Sequence, residues 1–169
     1  MVLARSALAT LLCTLWTSTV QGAPANQIHS EGYGPVRVGM TAKEAERALG
    51  VGLKIEDFGG CAQATPASGH AGVSFTLLDG RIARASAHSE KSLAQTPRSV
   101  GIGAPAATVR QLYGPRLKES PHAYGAPPDD YYLDYWVTPQ RGVRFEVEGG
   151  RVSFIHGGDR SIQLVEGCL

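Results

Sequence analysis

An internal repeat constrains the fold of this chain more than any other feature of its sequence. Residues 36–54 and 100–118 are identical at six of nineteen positions, and residues 72–82 and 142–152 at five of eleven. The two matched segments occur in the same order in each copy, and the second copy has six additional residues between them. Such self-similarity is typical of chains built from copies of one supersecondary unit. The sequence therefore predicts two tandem units.

Each predicted unit begins with a short helix. In the first unit, Thr41 is a suitable N-cap, Glu44 completes a capping box, and Gly50 suits the left-handed position that ends a helix. The second helix is expected to start at Pro105 and to end at Gly114. Helices of about ten residues are marginal alone in water, so each should pack on a sheet.

Alternating apolar residues and tight-turn dipeptides indicate antiparallel strands after each helix. Residues 73–77 alternate in this way, and Asp79-Gly80 is a hairpin signal. The other expected elements are a hairpin around Gly149-Gly150, a strand at 131–137 and a last strand at 162–165. The predicted fold class is α+β, with two tandem helix-plus-antiparallel-sheet repeats that share one core. Repeat 1 covers residues 31–96 and repeat 2 covers residues 97–169.

The N-terminus has the features of a secretory signal peptide over residues 1–22. A positive charge precedes an apolar run at residues 7–16, and cleavage is expected after Gly22. A membrane anchor or a buried helix is the alternative, but a membrane span needs about 18 apolar residues or more. Cys13 lies inside the apolar run, so it does not form a lipobox. We expect an exported protein, periplasmic or secreted, with an N-terminal tail at residues 23–30.

Two cysteines, Cys61 and Cys168, remain after the expected cleavage. Two thiols in an exported chain are expected to form a disulfide, and two free buried thiols are the alternative. Closing a loop of about 100 residues is worth roughly 4–5 kcal/mol in the chain-entropy model. Neither cysteine has a histidine or a second cysteine near it, as a zinc site would require. We therefore predict no metal site and no cofactor.

The first helix signal resembles a known motif. The residues that carry the resemblance are Val38-Gly39-Met40-Thr41, Glu44-Ala45 and Leu49-Gly50. They are similar to the helix motif of the BamE (SmpA/OmlA-like) envelope proteins, and a tandem pair of such units resembles the β-lactamase-inhibitor-protein family. In the second unit, Ala104-Pro105 replace Met-Thr. The resemblance implies α+β repeats whose sheets form a shared open surface, and binding of other proteins in the bacterial envelope.

Charge and motif content argue against several functional classes. The chain has 16 Lys+Arg and 15 Asp+Glu, so its net charge of +1 offers no field for nucleic acid. GxSxG, HExxH and CxxC motifs do not occur. Residues 101–106 match a dinucleotide fingerprint, but Arg37 replaces its first glycine in the other copy, which favours a simple turn. Two catalytic fragments are conceivable: Ser86, His88 and Glu90 on one strand, and His156 near Asp159. On solvated strand ends such residues are ordinary, and we do not predict an enzyme.

The strand at 131–137 combines acidic and aromatic residues. Alternation places Tyr131, Leu133 and Tyr135 on one side of the strand. The acidic and aromatic residues Asp130, Tyr132, Asp134 and Trp136 lie on the other side. Trp and Tyr suit recognition because they provide rigid contact area with a polar group. The candidate binding residues are Asp130, Tyr132, Asp134 and Trp136, exposed on the strand, with Arg144 and Glu146 beside them on the same sheet. The alternative is an aromatic strand that is covered by the other repeat.

These observations favour an exported, non-enzymatic protein-binding module, such as an inhibitor or immunity-like partner of an envelope or secreted enzyme. One alternative is a periplasmic protein that binds a carbohydrate or peptidoglycan fragment by stacking on Trp136 and Tyr132. A hydrolase is a further alternative. The expected partner is another envelope or secreted protein, without nucleic acid and without a membrane span. The oligomeric state stays open.

Overall fold

The structure, a computed structural model, describes residues 26–168. The predicted signal peptide at residues 1–22 lies outside the described residues. The first elements are the short strands β1 (Ile28–His29), β2 (Gly32–Tyr33) and β3 (Val36–Arg37), followed by helix α1 (Ala42–Leu49). The three strands pair in chain order and form a small antiparallel sheet.

The main element is an antiparallel sheet of eight strands. Its strands are β4 (Leu53–Asp57), β5 (Cys61–Pro66), β6 (Val73–Leu78), β7 (Arg81–His88), β8 (Lys118–Pro121), β9 (Tyr131–Thr138), β10 (Arg141–Glu148) and β11 (Arg151–Gly158). They lie in the order β4-β5-β6-β7-β11-β10-β9-β8. Helix α2 (Ala106–Tyr113) connects β7 to β8 along the chain. The strands β7 and β11 are therefore the central pair of the sheet, and β10 lies next to them.

One side of the large sheet packs against the helices and the small sheet and forms the core. Phe75 and Phe145 on the central strands are fully buried on this side. Ala45 of α1, Val109 of α2 and Tyr33 of the small sheet belong to the same buried cluster. Burial of a large apolar side chain contributes about 1.5–3 kcal/mol, so this layer provides most of the stabilisation.

The first helix forms as its local sequence predicts. Thr41 Oγ1 accepts a hydrogen bond from the Glu44 backbone N–H at 3.3 Å, and Glu44 Oε2 accepts one from the Thr41 backbone N–H at 2.8 Å. Gly50 ends the helix in the left-handed region with φ 73°. The capping box and the glycine C-cap are therefore confirmed.

The second helix ends differently. Pro105 precedes α2 and provides no side-chain cap, and Gly114 has φ 67° and ψ −158°, whereas Gly50 has ψ 13°. A 3-10 helix at Gly114–Arg116 follows directly.

Within the part of the chain that the structure describes, no helix has both the length and the apolar composition to cross a membrane.

The predicted fold class is wrong. The described chain is mostly antiparallel sheet, with eleven strands and two α-helices of eight residues each, and does not form an α+β fold of two tandem helix-plus-antiparallel-sheet repeats. Eight of these strands instead join into one continuous sheet through the pairing of β7 with β11. The sequence pattern missed β4 and β8 because most of their residues are exposed, so these strands lack an alternation of buried apolar side chains.

Two local predictions are also corrected. Ile28–His29 were expected in an N-terminal tail but form β1, and Ile28 is fully buried against Gly157 of β11. The last strand expected at 162–165 is absent from the described residues, because a 3-10 helix at Arg160–Gln163 occupies this region. Asp159 starts it by accepting a hydrogen bond from the Ser161 backbone N–H at 2.8 Å.

The C-terminal residues 159–168 cross the side of the large sheet that faces away from the core, and we call them the C-terminal strap. Arg84 on β7 donates hydrogen bonds from Nη1 to the carbonyl oxygens of Ser161 and Leu164. At the end of the strap, Cys168 forms a disulfide with Cys61 on β5, at a Cα–Cα distance of 5.4 Å. The predicted disulfide is confirmed. Because disulfides persist in oxidising compartments, it indicates an exported protein.

Candidate functional site

Polar residues cover the side of the large sheet that faces away from the core. Residues directly opposite each other on neighbouring strands share one side of a sheet. Arg144 lies opposite both Asp134 and His156, and His156 lies opposite Ser86. We call this side the polar face. Its residues include Ser74, Arg84, Ser86, Tyr132, Asp134, Trp136, Arg144, Glu146 and His156.

Three of the predicted binding residues meet in the polar face. Arg144 donates from Nε to Asp134 Oδ1 at 2.7 Å and from Nη2 to Asp134 Oδ2 at 3.0 Å. The guanidinium also lies 4.2 Å from the centre of the Tyr132 ring. Gln163 of the strap donates to Asp134 Oδ2 at 3.0 Å. A two-point ion pair that also stacks on an aromatic ring holds all three side chains in one geometry.

Glu146, the next residue on this side of β10, belongs to a buried hydrogen-bonded chain. Ser86 Oγ lies 2.8 Å from His156 Nδ1, and His156 Nε2 lies 2.9 Å from Glu146 Oε1. Burial lowers the pKa of His156, although the bond to Glu146 opposes this shift. The network then assigns a neutral ring that donates from Nε2 to the carboxylate and accepts from the Ser86 hydroxyl. Burial alone would raise the pKa of Glu146, but the hydrogen bond from His156 and nearby positive charge outweigh it, and the pKa is lowered.

Glu146 also faces His122 and Glu148, a trio with the composition of a metal site. The His122 Nε2 atom lies 3.6 Å from Glu146 Oε2 and 3.9 Å from Glu148 Oε1, and it has no hydrogen-bond partner among the described residues. However, His122 Nδ1 accepts hydrogen bonds from the backbone N–H groups of Tyr124 and Gly125. The neutral ring must therefore carry its proton on Nε2, which then points a hydrogen at the carboxylates and has no lone pair for a metal.

The expectation of exposure is wrong for Tyr132 and Asp134, and four of the six candidate binding residues are buried. These four are Tyr132 at 4% exposure, Asp134 at 4%, Arg144 at 5% and Glu146 at 9%. Their polar atoms form hydrogen bonds with neighbouring side chains of the sheet, which allows them to be buried. The ring of His122 also stacks on Tyr132, at 4.7 Å between centroids. Tyr132 therefore offers no free ring face for a carbohydrate. The sequence contained no local signal for His122, which lies in a loop.

Asp130 is a loop clamp rather than part of the polar face. It precedes β9, and its carboxylate accepts hydrogen bonds from the backbone N–H groups of Ala126 at 2.8 Å and Gly149 at 2.9 Å. These two bonds lower the pKa of Asp130. The residue fixes the loop before β9 to the β10–β11 turn.

Trp136 is the one member of the predicted set on the polar face that is not buried. It is half-buried, and its indole packs over Gly142 on β10, where a Cβ atom would lie 2.9 Å from the ring. The ring lines an open cleft of about 730 Å³ beside the sheet edge formed by β8, which we call the Trp136 cleft. Its walls include Arg116, Lys118, Asp134, Pro139, Arg160 and Gln163.

The Ser86–His156–Glu146 chain has the composition of a catalytic triad but not its setting. Ser86 lies in the middle of β7 and pairs on both sides, with β6 and β11, so nearby strand N–H groups are used in the sheet. A nucleophilic serine often relies on free backbone N–H donors for the oxyanion, and the paired strands around Ser86 do not provide them. The predicted fragment of Ser86, His88 and Glu90 does not assemble, since Glu90 is exposed beyond the end of β7 and His88 stacks on Phe154.

Comparison with known proteins adds little to this description. No protein-family model matches the sequence, and no curated protein matches it. Among solved structures, the chain is similar to an extracellular protein containing an SCP domain from Bacillus anthracis str. Ames, at 13% identity and a TM-score of 0.48. The match covers 76% of this chain, which spans 46% of that protein. A likeness at this level carries no argument about function.

Proposed function

We propose that the protein is an exported, non-enzymatic binding module that recognises an acidic surface of another envelope or secreted protein through the Trp136 cleft. The observation that carries the proposal is a half-buried tryptophan among cations that lack carboxylate partners in the described part of the chain. Export through the signal peptide at residues 1–22, to the periplasm or the medium, is part of the proposal. An inhibitor or immunity-like role follows if the partner is an enzyme.

The charges of the Trp136 cleft support an acidic partner. Arg116, Lys118 and Arg160 line the cleft, and none of them forms an ion pair with a carboxylate among the described residues. Two carboxylates also line it, but Glu119 is paired with Arg110 at 2.7 Å and Asp134 is paired with Arg144. The net field of the cleft is therefore positive. Complementary charge across an interface accelerates association and selects between partners.

The cleft is also held rigidly, which favours binding. Arg116 Nη2 donates to the backbone carbonyl of Trp136 at 2.9 Å, so this cation is held next to the strand that carries the indole. Behind them, Gln163 and Arg144 both bind Asp134. A binding surface that is already ordered loses less conformational entropy when the partner binds. Tryptophan and arginine are the residues that most often dominate the energy of protein interfaces.

The proposal is tested by capture of partners from envelope and secreted fractions with the oxidised protein, residues 23–169. We expect one or more acidic proteins to be retained by the wild type and lost with Trp136→Ala. The matched control is Tyr124→Ala, because Tyr124 is a 70% exposed aromatic residue outside the cleft. Capture should weaken with rising salt and with Arg116→Ala. Equal capture by Trp136→Ala and the wild type would contradict the proposal.

A further inference from the structure

A second feature of the polar face is a buried cation without a counter-ion among residues 26–168. Arg84 on β7 is 4% exposed, and both of its hydrogen bonds to described residues use Nη1, toward the carbonyl oxygens of Ser161 and Leu164 in the strap. Its Nε is buried and has no hydrogen-bond partner among the described residues. No described carboxylate lies within ion-pair distance of the guanidinium. The guanidinium therefore has hydrogen-bonding capacity that the described residues do not use.

A cavity of about 310 Å³, which Arg84 helps to line, lies between the polar face and the strap. Ser74 and Ser86 contribute hydroxyl groups to its wall, and Gln63 contributes an amide. Phe154 and Val165 contribute apolar surface. A few polar groups that converge in a partly apolar cavity of this size are typical of small-molecule sites, which begin at roughly 300 Å³.

We propose that this cavity binds a small monocarboxylic acid, whose carboxylate docks on the guanidinium of Arg84 and whose apolar part contacts Phe154 and Val165. The planar guanidinium matches a carboxylate through two parallel hydrogen bonds. This site is separate from the Trp136 cleft and does not depend on the proposed function. The ligand class is a carboxylic acid with a compact apolar body.

The surrounding charges favour one negative charge over two. Glu146 and Glu166 also line the cavity, so a doubly charged anion such as phosphate would meet two carboxylates and a single unpaired cation. Glu146 is already bonded to His156, and Glu166 is exposed in the strap. Burial lowers the pKa of Arg84 to about 10, with Glu146 and Asp159 opposing this shift. Arg84 still carries its charge at neutral pH, and a ligand carboxylate would compensate it.

The test follows the Arg84 Nε–H resonance of the disulfide-bonded protein by NMR while benzoate is added, with benzamide as the neutral control. The signal is assigned with Arg84→Lys. We expect a saturable shift of this resonance with benzoate, no such shift with benzamide, and no shift of the Arg116 Nε–H in the other cleft. Arg84→Lys should lower benzoate affinity more than tenfold. No saturable shift, or the same shift with benzamide, would overturn the proposal.

A second variant keeps the test decisive if Arg84→Lys fails to fold, since Arg84 also holds the strap. Val165 lines the cavity and is 43% exposed, so Val165→Trp fills the opening without changing the buried cation. We expect this variant to keep the fold and lose benzoate binding. Calorimetric binding of benzoate that is unchanged in Val165→Trp would place the ligand elsewhere and refute the site.

Discussion

Asp134 and Arg144 lie directly opposite each other on β9 and β10, and their side chains form a buried two-point ion pair with N–O distances of 2.7 and 3.0 Å. This pair underlies the Trp136 cleft, because Asp134 is one of the cleft residues and also binds Gln163. The pair therefore links the interior of the polar face to its accessible edge.

Removing one member of this pair should destabilise the protein strongly. Arg144→Gln leaves the Asp134 carboxylate buried without its cation, which typically costs about 3–5 kcal/mol. The matched control is Arg110→Gln, because the Arg110–Glu119 pair has the same 2.7 Å distance but is 43% and 55% exposed. Exposed pairs are worth about 1 kcal/mol or less. Urea unfolding of both variants measures the difference, and equal small losses would show that the buried pair is not important for stability.

The disulfide should be complete in the exported protein and should stabilise it. Cys61 and Cys168 tie the strap to β5, so we expect no free thiol in the native protein without reductant. Removing a native disulfide typically costs about 2–5 kcal/mol, and Cys168→Ser should lower the melting temperature accordingly. Thiol titration and thermal unfolding measure both effects. Two titratable thiols in protein isolated from the periplasm or the medium would contradict the export and cross-link account.

Stability should fall on mild acidification because of His156. Burial lowers its pKa below the ordinary value of 6.5, so the unfolded chain takes up a proton that the folded protein does not. The free energy of unfolding therefore decreases as the pH falls below about 6.5. His156→Gln should flatten this dependence. Burial also lowers the pKa of His88, which is only half-buried, so His88→Gln should remove a smaller part of the slope. A slope in His156→Gln equal to that of the wild type would refute the assignment.

The contact between the two sheets should require glycine at position 157. A Cβ atom there would lie 2.3 Å from the backbone oxygen of His29, so Gly157→Ala must push β1 away from β11. Gly52→Ala is the control, because its nearest neighbour would be a side-chain atom at 3.9 Å. We expect a marked loss of stability for Gly157→Ala, of about 1–3 kcal/mol as in overpacked cores, and almost none for Gly52→Ala. Equal melting temperatures would contradict this packing.

Local signals in the sequence were sufficient for some elements. The capping box of Thr41 and Glu44 and the hairpin at Asp79-Gly80 involve residues close in the chain, and both form as predicted. The disulfide could also be predicted from the sequence, since only Cys61 and Cys168 remain beyond the predicted signal peptide.

Long-range relations were not predictable in the same way. Ser86 and His156 meet only because β7 pairs with β11, and the residues are far apart in the chain. The burial of Tyr132 depends on His122 from a loop, which carries no periodic pattern. The signals for two short helices favoured an α+β fold of two repeats. The molecule is instead organised by long-range strand pairing, which forms the eight-stranded sheet.

The most direct test of the proposed function is the dissociation constant of the captured partner with Trp136→Ala, measured by calorimetry beside Tyr124→Ala and with thermal unfolding of each variant. Truncation of a central interface aromatic commonly costs about 2 kcal/mol or more, so we predict more than tenfold weaker binding for Trp136→Ala with the fold retained. Tyr124→Ala should bind like the wild type. If Trp136→Ala stays folded and binds with unchanged affinity, the Trp136 cleft is not the recognition site. If it instead unfolds before binding can be measured, the indole is a core residue and the account is contradicted.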